Sequence, residues 1–141
     1  MAVCSRSMQK SFYRLIKKIK IMAFQNLLAF KKSFSLAMDI FHLSKTFPRE
    51  EIYSLTDQIR KSSRSVTVTV AEAYRKRRYP NHFISKLTDS DMENSETQTW
   101  LLFALECEYI SKEDFQDLNN KADEVGRILN YMISNPDKFD N

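Results

Sequence analysis

Residues 55–74 read LTDQIRKSSRSVTVTVAEAY and run directly into Arg75-Lys76-Arg77-Arg78. Wound at about 100° per residue, Ile59, Val66, Val70 and Ala73 share one face, continued upstream by Ile52 and Leu55. Arg60, Lys61, Arg64, Arg75 and Arg78 fall roughly opposite. The stretch therefore reads as one helix with a core face and a cationic face. Inside it, residues 65–70 alternate polar and β-branched apolar side chains, a strand pattern when taken alone. Helical phase is continuous on both sides, and a lone strand would have no partner, so helix is expected there.

Three further segments carry helical periodicity. The first covers about 24–45, with Leu27, Phe30, Phe34, Ala37 and Phe41 stepping 3-4-3-4 as its expected core line. Pro48, followed by Glu50 and Glu51, suits the N-terminus of the second helix, about 50–78. Pro80 opens a third, about 81–107, anchored by Phe83, Ile84 and Leu87 at one end and by Trp100, Leu101, Phe103 and Ala104 at the other. Between them TDSDMENSETQT (88–99) offers only Met92 to a core, a polar middle that suggests fraying, exposure or an interface. The fourth, about 112–134, has Ser111 as its expected N-cap with Asp114 three residues on. Its core line is Phe115, Leu118, Ala122, Val125, Leu129 and Met132, and Asn135-Pro136 ends it.

The chain has 141 residues and is 43% apolar, enough for one domain with a sizeable core. One glycine, Gly126, and three prolines leave almost no material for β-turns or phosphate-cradling glycine loops. Cys4 and Cys107 sit in dissimilar contexts, which argues against a disulfide scaffold and for a reducing, cytoplasmic compartment. No apolar run approaches the roughly 20 residues of a membrane span.

The net charge of +4 conceals a segregation. Residues 1–22 hold six basic groups and no acid, leaving the remainder with 16 bases against 18 acids. Residues 60–78 carry seven bases and one acid, whereas 89–124 carry eleven acids and two bases. This is a dipolar body with a basic leader rather than a uniformly basic one. In the leader, Phe12, Leu15, Ile16 and Ile19 form one face and Arg14, Lys17, Lys18 and Lys20 the other. Such a helix can lie on an anionic membrane or on nucleic acid. It reads more simply as an upstream extension, with Met22 an alternative start.

Catalysis has thin support. His82 has no carboxylate or cysteine at metal-ligand spacing, His42 has Asp39 alone three residues before it, and no Glu-x-x-His pair occurs. A Cys107 nucleophile served by His82 is conceivable, but Cys107 reads as a small buried apolar residue. Glu93 and Glu96 share a face that could hold a cation but reads as a solvated acidic surface. Trp100 reads as core. Neither an enzyme, a metal nor a cofactor is expected.

The cationic face is the sharper feature. Charges on a helix's outer side are usually only solvated, yet like charges on one face repel unless something anionic meets them. Between Arg64 and Arg75 the same face carries the small apolar Val68 and Ala71, which favour close approach of another surface. The candidate site is therefore Arg60, Lys61, Arg64, Arg75, Lys76 and Arg78. Its partner is either a phosphate backbone or the acidic 89–124 surface of a second copy.

The motifs resemble those of a known family, proteins encoded by intervening sequences within bacterial 23S rRNA genes. The family's Phe-Pro-x-Glu-Glu junction stands here as Phe47-Pro48-Arg49-Glu50-Glu51, followed by Leu55-Thr56-Asp57-Gln58-Ile59-Arg60-Lys61, Ser65 and Val70-Ala71-Glu72. Glu108-Tyr109-Ile110-Ser111 stands for its Gly-Tyr-Leu/Ile-Ser junction, and Val125-Gly126-Arg127-Ile128-Leu129-Asn130 for its fourth-helix motif. The similarity covers about 24–134. It departs at Thr67, Thr69 and Ala73, where the family has proline, asparagine and glycine. It departs again at Ser90-Asp91-Met92-Glu93, where the family has Ala-x-Gly-Ser. The resemblance implies an up-and-down bundle that assembles as a ring-like homo-oligomer, a pentamer. It also implies kinship with accessory proteins of diversity-generating retroelements, which bind nucleic acid and reverse transcriptase.

The expectation is thus an all-α, antiparallel up-and-down four-helix bundle over 23–135, with a basic extension (1–22) and a short tail (136–141). It is expected to be non-enzymatic and homo-oligomeric, binding RNA through the second helix. The alternative is a self-assembling scaffold with no nucleic-acid role.

Overall fold

The computed structural model describes residues 6–18 and 23–140, with side chains for 6–14 and 24–140. The described residues form five α-helices and no strand: α1 (Arg6–Lys18), α2 (Leu28–Ser44), α3 (Leu55–Arg75), α4 (Pro80–Glu106) and α5 (Lys112–Ser134). Short 3-10 turns occupy Ala23–Asn26, Arg49–Glu51 and Pro136–Phe139. Residues 65–70 lie inside α3, as helical phase required. Around the core, α3 packs on α2 and α4, and α5 packs on α4 and α2. No helix among the described residues is long and apolar enough to cross a membrane.

Two core lines fall where periodicity placed them. Ile59, Val66, Val70 and Ala73 are buried on α3. On α5 Leu118, Ala122, Val125, Leu129 and Met132 are buried, with Phe115 half-buried at the start. Ser111 caps that helix, its hydroxyl accepting the Asp114 N–H at 3.0 Å.

The expected line on α2 is corrected. Its buried face is Ala29, Ser33, Leu36, Ala37, Ile40 and Ser44, and Leu27, Phe30, Phe34 and Phe41 are only half-buried. Small residues let α2 approach its neighbours closely, so the bulky rings are turned toward the flank. The start of α3 is also later than expected. Pro48 precedes the 3-10 turn at Arg49–Glu51, Ile52 and Tyr53 are exposed, and the helix starts at Leu55. Glu51 is the reason: its Oε2 accepts the Leu55 N–H at 3.1 Å and the Ser54 hydroxyl at 2.6 Å. The other end of α3 is Arg75, so Lys76 and Arg78 sit in the following turn rather than on the helix.

The polar middle of α4 is continuous helix, but Met92 does not reach the core and is 60% exposed. Ser90, Asn94 and Thr97 take the inward positions instead. Each makes a hydrogen bond that offsets its burial, while Asn94 Oδ1 is buried without a partner among the described residues. Ser90 Oγ donates to the Val66 carbonyl at 2.9 Å, Asn94 Nδ2 to the Ala122 carbonyl at 2.8 Å, and Thr97 Oγ1 to Ser62 Oγ at 2.9 Å. With Thr67 donating to Ser33 at 2.9 Å, these groups form a polar seam through an otherwise apolar core.

At the end of α4, Glu108 adopts a left-handed φ of 61°. The Tyr109 N–H bonds the Ala104 carbonyl and the Glu108 N–H that of Leu105, both at 2.9 Å, which closes a Schellman turn. Cys107 is carried outward by that turn and is exposed, not buried as expected, because Ala104 and Ile110 already fill the inward positions. Phe103 and Trp100 are likewise less buried than a core reading required, Phe103 exposed and Trp100 half-buried. In the N-terminal extension, Phe12 stacks on Phe34 with ring centres 4.9 Å apart. Cys4 and the side chains of Leu15, Ile16, Lys17, Lys18, Ile19 and Lys20 lie outside the described residues.

Candidate nucleic-acid interface

The outer side of α3 is built from residues one turn apart, and the helix breaks its six expected cations into groups. Arg60 and Arg64 face α2. Arg60 is half-buried rather than opposite the core, and its Nε donates to Ser44 Oγ at 2.7 Å. Its guanidinium lies 4.9 Å from the Phe41 ring centre, and that of Arg64 lies 5.4 Å from the same ring. Lys45 Nζ is 4.6 Å from it. Three cations thus surround one aromatic ring, an arrangement its quadrupole favours. Burial, and then the charge of Arg64, hold Arg60 below the ordinary arginine value.

None of the three makes an ion pair among the described residues. Lys61 differs, since its ammonium pairs with Asp57 one turn earlier at 2.9 Å. Arg75 stands over the Phe24 ring at 5.6 Å, on the far side of Val68 and Ala71. Lys76 and Arg78 are exposed in the turn beyond. The sequence reading missed Phe41 and Lys45. Their i,i+4 spacing at the end of α2, with Lys45 its C-cap, mirrors that of Arg60 and Arg64 on α3, a signal that was present but masked by assigning Phe41 to the core.

The structure leaves the imagined Cys–His pair far apart. His82 is in the first turn of α4 and Cys107 follows its last residue, so roughly 37 Å of helix separates them. No group of three His, Cys, Asp or Glu side chains among the described residues could hold a metal ion. Glu93 and Glu96 are half-buried, and burial, then Glu96 and Asp89, push the Glu93 carboxyl above its ordinary value.

The fold and this face define an all-α helical protein with a segregated cationic surface. The family model of the 23S rRNA-intervening sequence protein matches residues 25–131, and the chain belongs to that family. A crystal structure of a protein with unknown function, from the S23 ribosomal protein family of Bacteroides thetaiotaomicron VPI-5482, is similar at 28% identity and a TM-score of 0.70. The match covers 80% of this chain and 99% of that one. Comparison with curated proteins gives no match.

Proposed function

We propose that this protein is a non-enzymatic, homo-oligomeric, antiparallel up-and-down four-helix bundle that binds RNA through the cationic face of α3. The short connections at 76–79 and 107–111 suit antiparallel neighbours. The observation that carries the RNA reading is the cluster of Lys45, Arg60 and Arg64 around Phe41, held in place without an ion pair among the described residues. Such an unneutralised, partly desolvated group is suited to phosphate oxygens, and Arg75, Lys76 and Arg78 extend the track. Loss of salt-dependent binding of single-stranded RNA on Lys45→Ala/Arg60→Gln tests it.

A second reading, assembly with no nucleic-acid role, is favoured by the apolar strip of Val68 and Ala71 between the two basic groups. A phosphate backbone gains nothing from apolar walls, whereas a protein surface does. In either reading the partner is first another copy of this chain, in a ring that the family resemblance suggests is a pentamer. A reverse transcriptase is a further proposed partner on the same ground, and the cytoplasm the proposed compartment.

A further inference from the structure

Next to the cationic cluster, α2 and α3 leave an open apolar groove of about 400 Å³. Phe30, Phe34 and Met38 wall it from α2, Val68 and Ala71 from α3, and Arg64 adds one guanidinium to the lining. Lys45 and Arg60 lie outside that lining. Val68 is 55% exposed in it, so the groove is an open apolar surface along α3, while its Phe34 wall carries Phe12 of α1 on one ring face. Its walls run about 12 Å along α2, long enough for two turns of a helix.

The complementary chemistry lies on the outward side of α4. Met92 stands out from the surface, with Asp89 and Glu96 one turn away on either side and Glu93 adjacent. Glu93 and Glu96 make no ion pair among the described residues, and burial, then the charge of Glu96, raises the proton affinity of Glu93. An apolar knob ringed by unneutralised carboxylates thus faces outward from the same chain whose apolar groove carries an unneutralised arginine.

We infer that Met92 of one copy seats in the α2–α3 groove of a second copy, with the carboxylates of Glu93 and Glu96 meeting Arg64. This rests on the self-association part of the proposed function and names its surfaces. Charge complementarity commits the groove to this occupant, because the knob offers both the apolar side chain and the anions that the groove lacks. The helices contact one another in the cyclic order α2, α3, α4, α5, so the groove and the knob lie on different sides of the molecule. The contact is therefore head-to-tail. Each copy in it keeps one free groove or one free knob, and association continues until a ring closes. Lys45 and Arg60, outside the groove, stay available to phosphate in the assembled form.

Two substitutions at exposed positions test this without touching the core: Val68→Asp in the groove and Met92→Asp on the knob. Light scattering on the full chain should give an oligomer for the wild type and the 16.7 kDa monomer for each variant. Mixing the two variants in equal amounts should restore one good contact, intact knob on intact groove, and leave one bad contact, acid against acid. The mixture should therefore stop at a 1:1 complex of twice the monomer mass. A monomeric wild type overturns self-association itself. An oligomeric wild type whose mass survives either variant overturns the named surfaces while leaving self-association standing. Dissociation of both variants with no complex on mixing overturns the head-to-tail pairing.

Discussion

The guanidinium of Arg60 is held between Ser44 and Phe41, donating from Nε to the hydroxyl at 2.7 Å while its Cζ lies 4.9 Å from the ring centre. Helix α2 therefore supplies both the hydrogen-bond acceptor and the π-face that position a cation of α3. Lysine has neither the Nε donor nor the planar surface. Arg60→Lys should lower unfolding stability by roughly 1 kcal/mol while conserving charge. Urea unfolding followed by circular dichroism measures it, and an unchanged midpoint would mean that the pair contributes nothing.

Two backbone positions should respond in a direction opposite to most substitutions. Glu108 holds a left-handed φ of 61°, which costs a residue with a Cβ more than it costs glycine. Glu108→Gly should stabilise by about 0.5–1 kcal/mol. Gly126 is inside α5 with ordinary helical geometry, and an added Cβ would sit 3.5 Å from Asn94 Nδ2, a normal contact. Gly126→Ala should likewise gain about 0.5–1 kcal/mol from helix propensity. Thermal melts of the two variants check both signs.

Glu51 makes the entry to α3 sensitive to acid. The Ser54 hydroxyl, then the Leu55 N–H, hold its carboxyl below the ordinary value of 4.5; burial opposes them and the Tyr109 hydroxyl adds to the lowering. Because the folded value is the lower one, the contribution to stability is full above pH 4.5 and is lost as pH falls through the folded value. Glu51→Gln should flatten this part of the acid unfolding curve and leave the neutral part parallel to wild type. An acid limb identical in the two proteins would show that Glu51 does not anchor the helix start.

The polar seam predicts coupling across the core. Thr97 Oγ1 donates to Ser62 Oγ at 2.9 Å between α4 and α3, both residues being buried. A double-mutant cycle with Thr97→Val and Ser62→Ala should return a coupling of roughly 0.5–1.5 kcal/mol. Additive losses would assign the seam to packing alone.

Apolar periodicity made α3 and α5 legible because their large aliphatic residues are also their buried ones. On α2 the same rule chose Phe30, Phe34 and Phe41, whereas burial went to Ala29, Ser33, Leu36 and Ile40. Ala29 and Ser33 carry too little hydrophobicity to mark a face, and without them Leu36 and Ile40 do not extend into a visible stripe. On α4 the pattern nominated Met92, whereas hydrogen bonds to other helices hold Ser90, Asn94 and Thr97 inside. Hydrogen-bond partners on another helix cannot be seen in local spacing. The basic run at the end of α3 was legible as a charge cluster. The cluster around Phe41 was not, because it joins residues from two helices.

The most direct measurement is the salt dependence of single-stranded RNA binding by the full chain and by Lys45→Ala/Arg60→Gln. Both substitutions lie outside the α2–α3 groove, so assembly mass should stay at the wild-type value. The leader's six cations are common to both proteins and cancel in the comparison. If the cluster contacts phosphates, the slope of log K against log salt should become shallower by about 1.4, or about 0.7 for each lost contact. Affinity at low salt should fall with it. A wild type that binds RNA with no salt dependence, or a variant whose slope and affinity match the wild type, would contradict the assignment of this face to RNA.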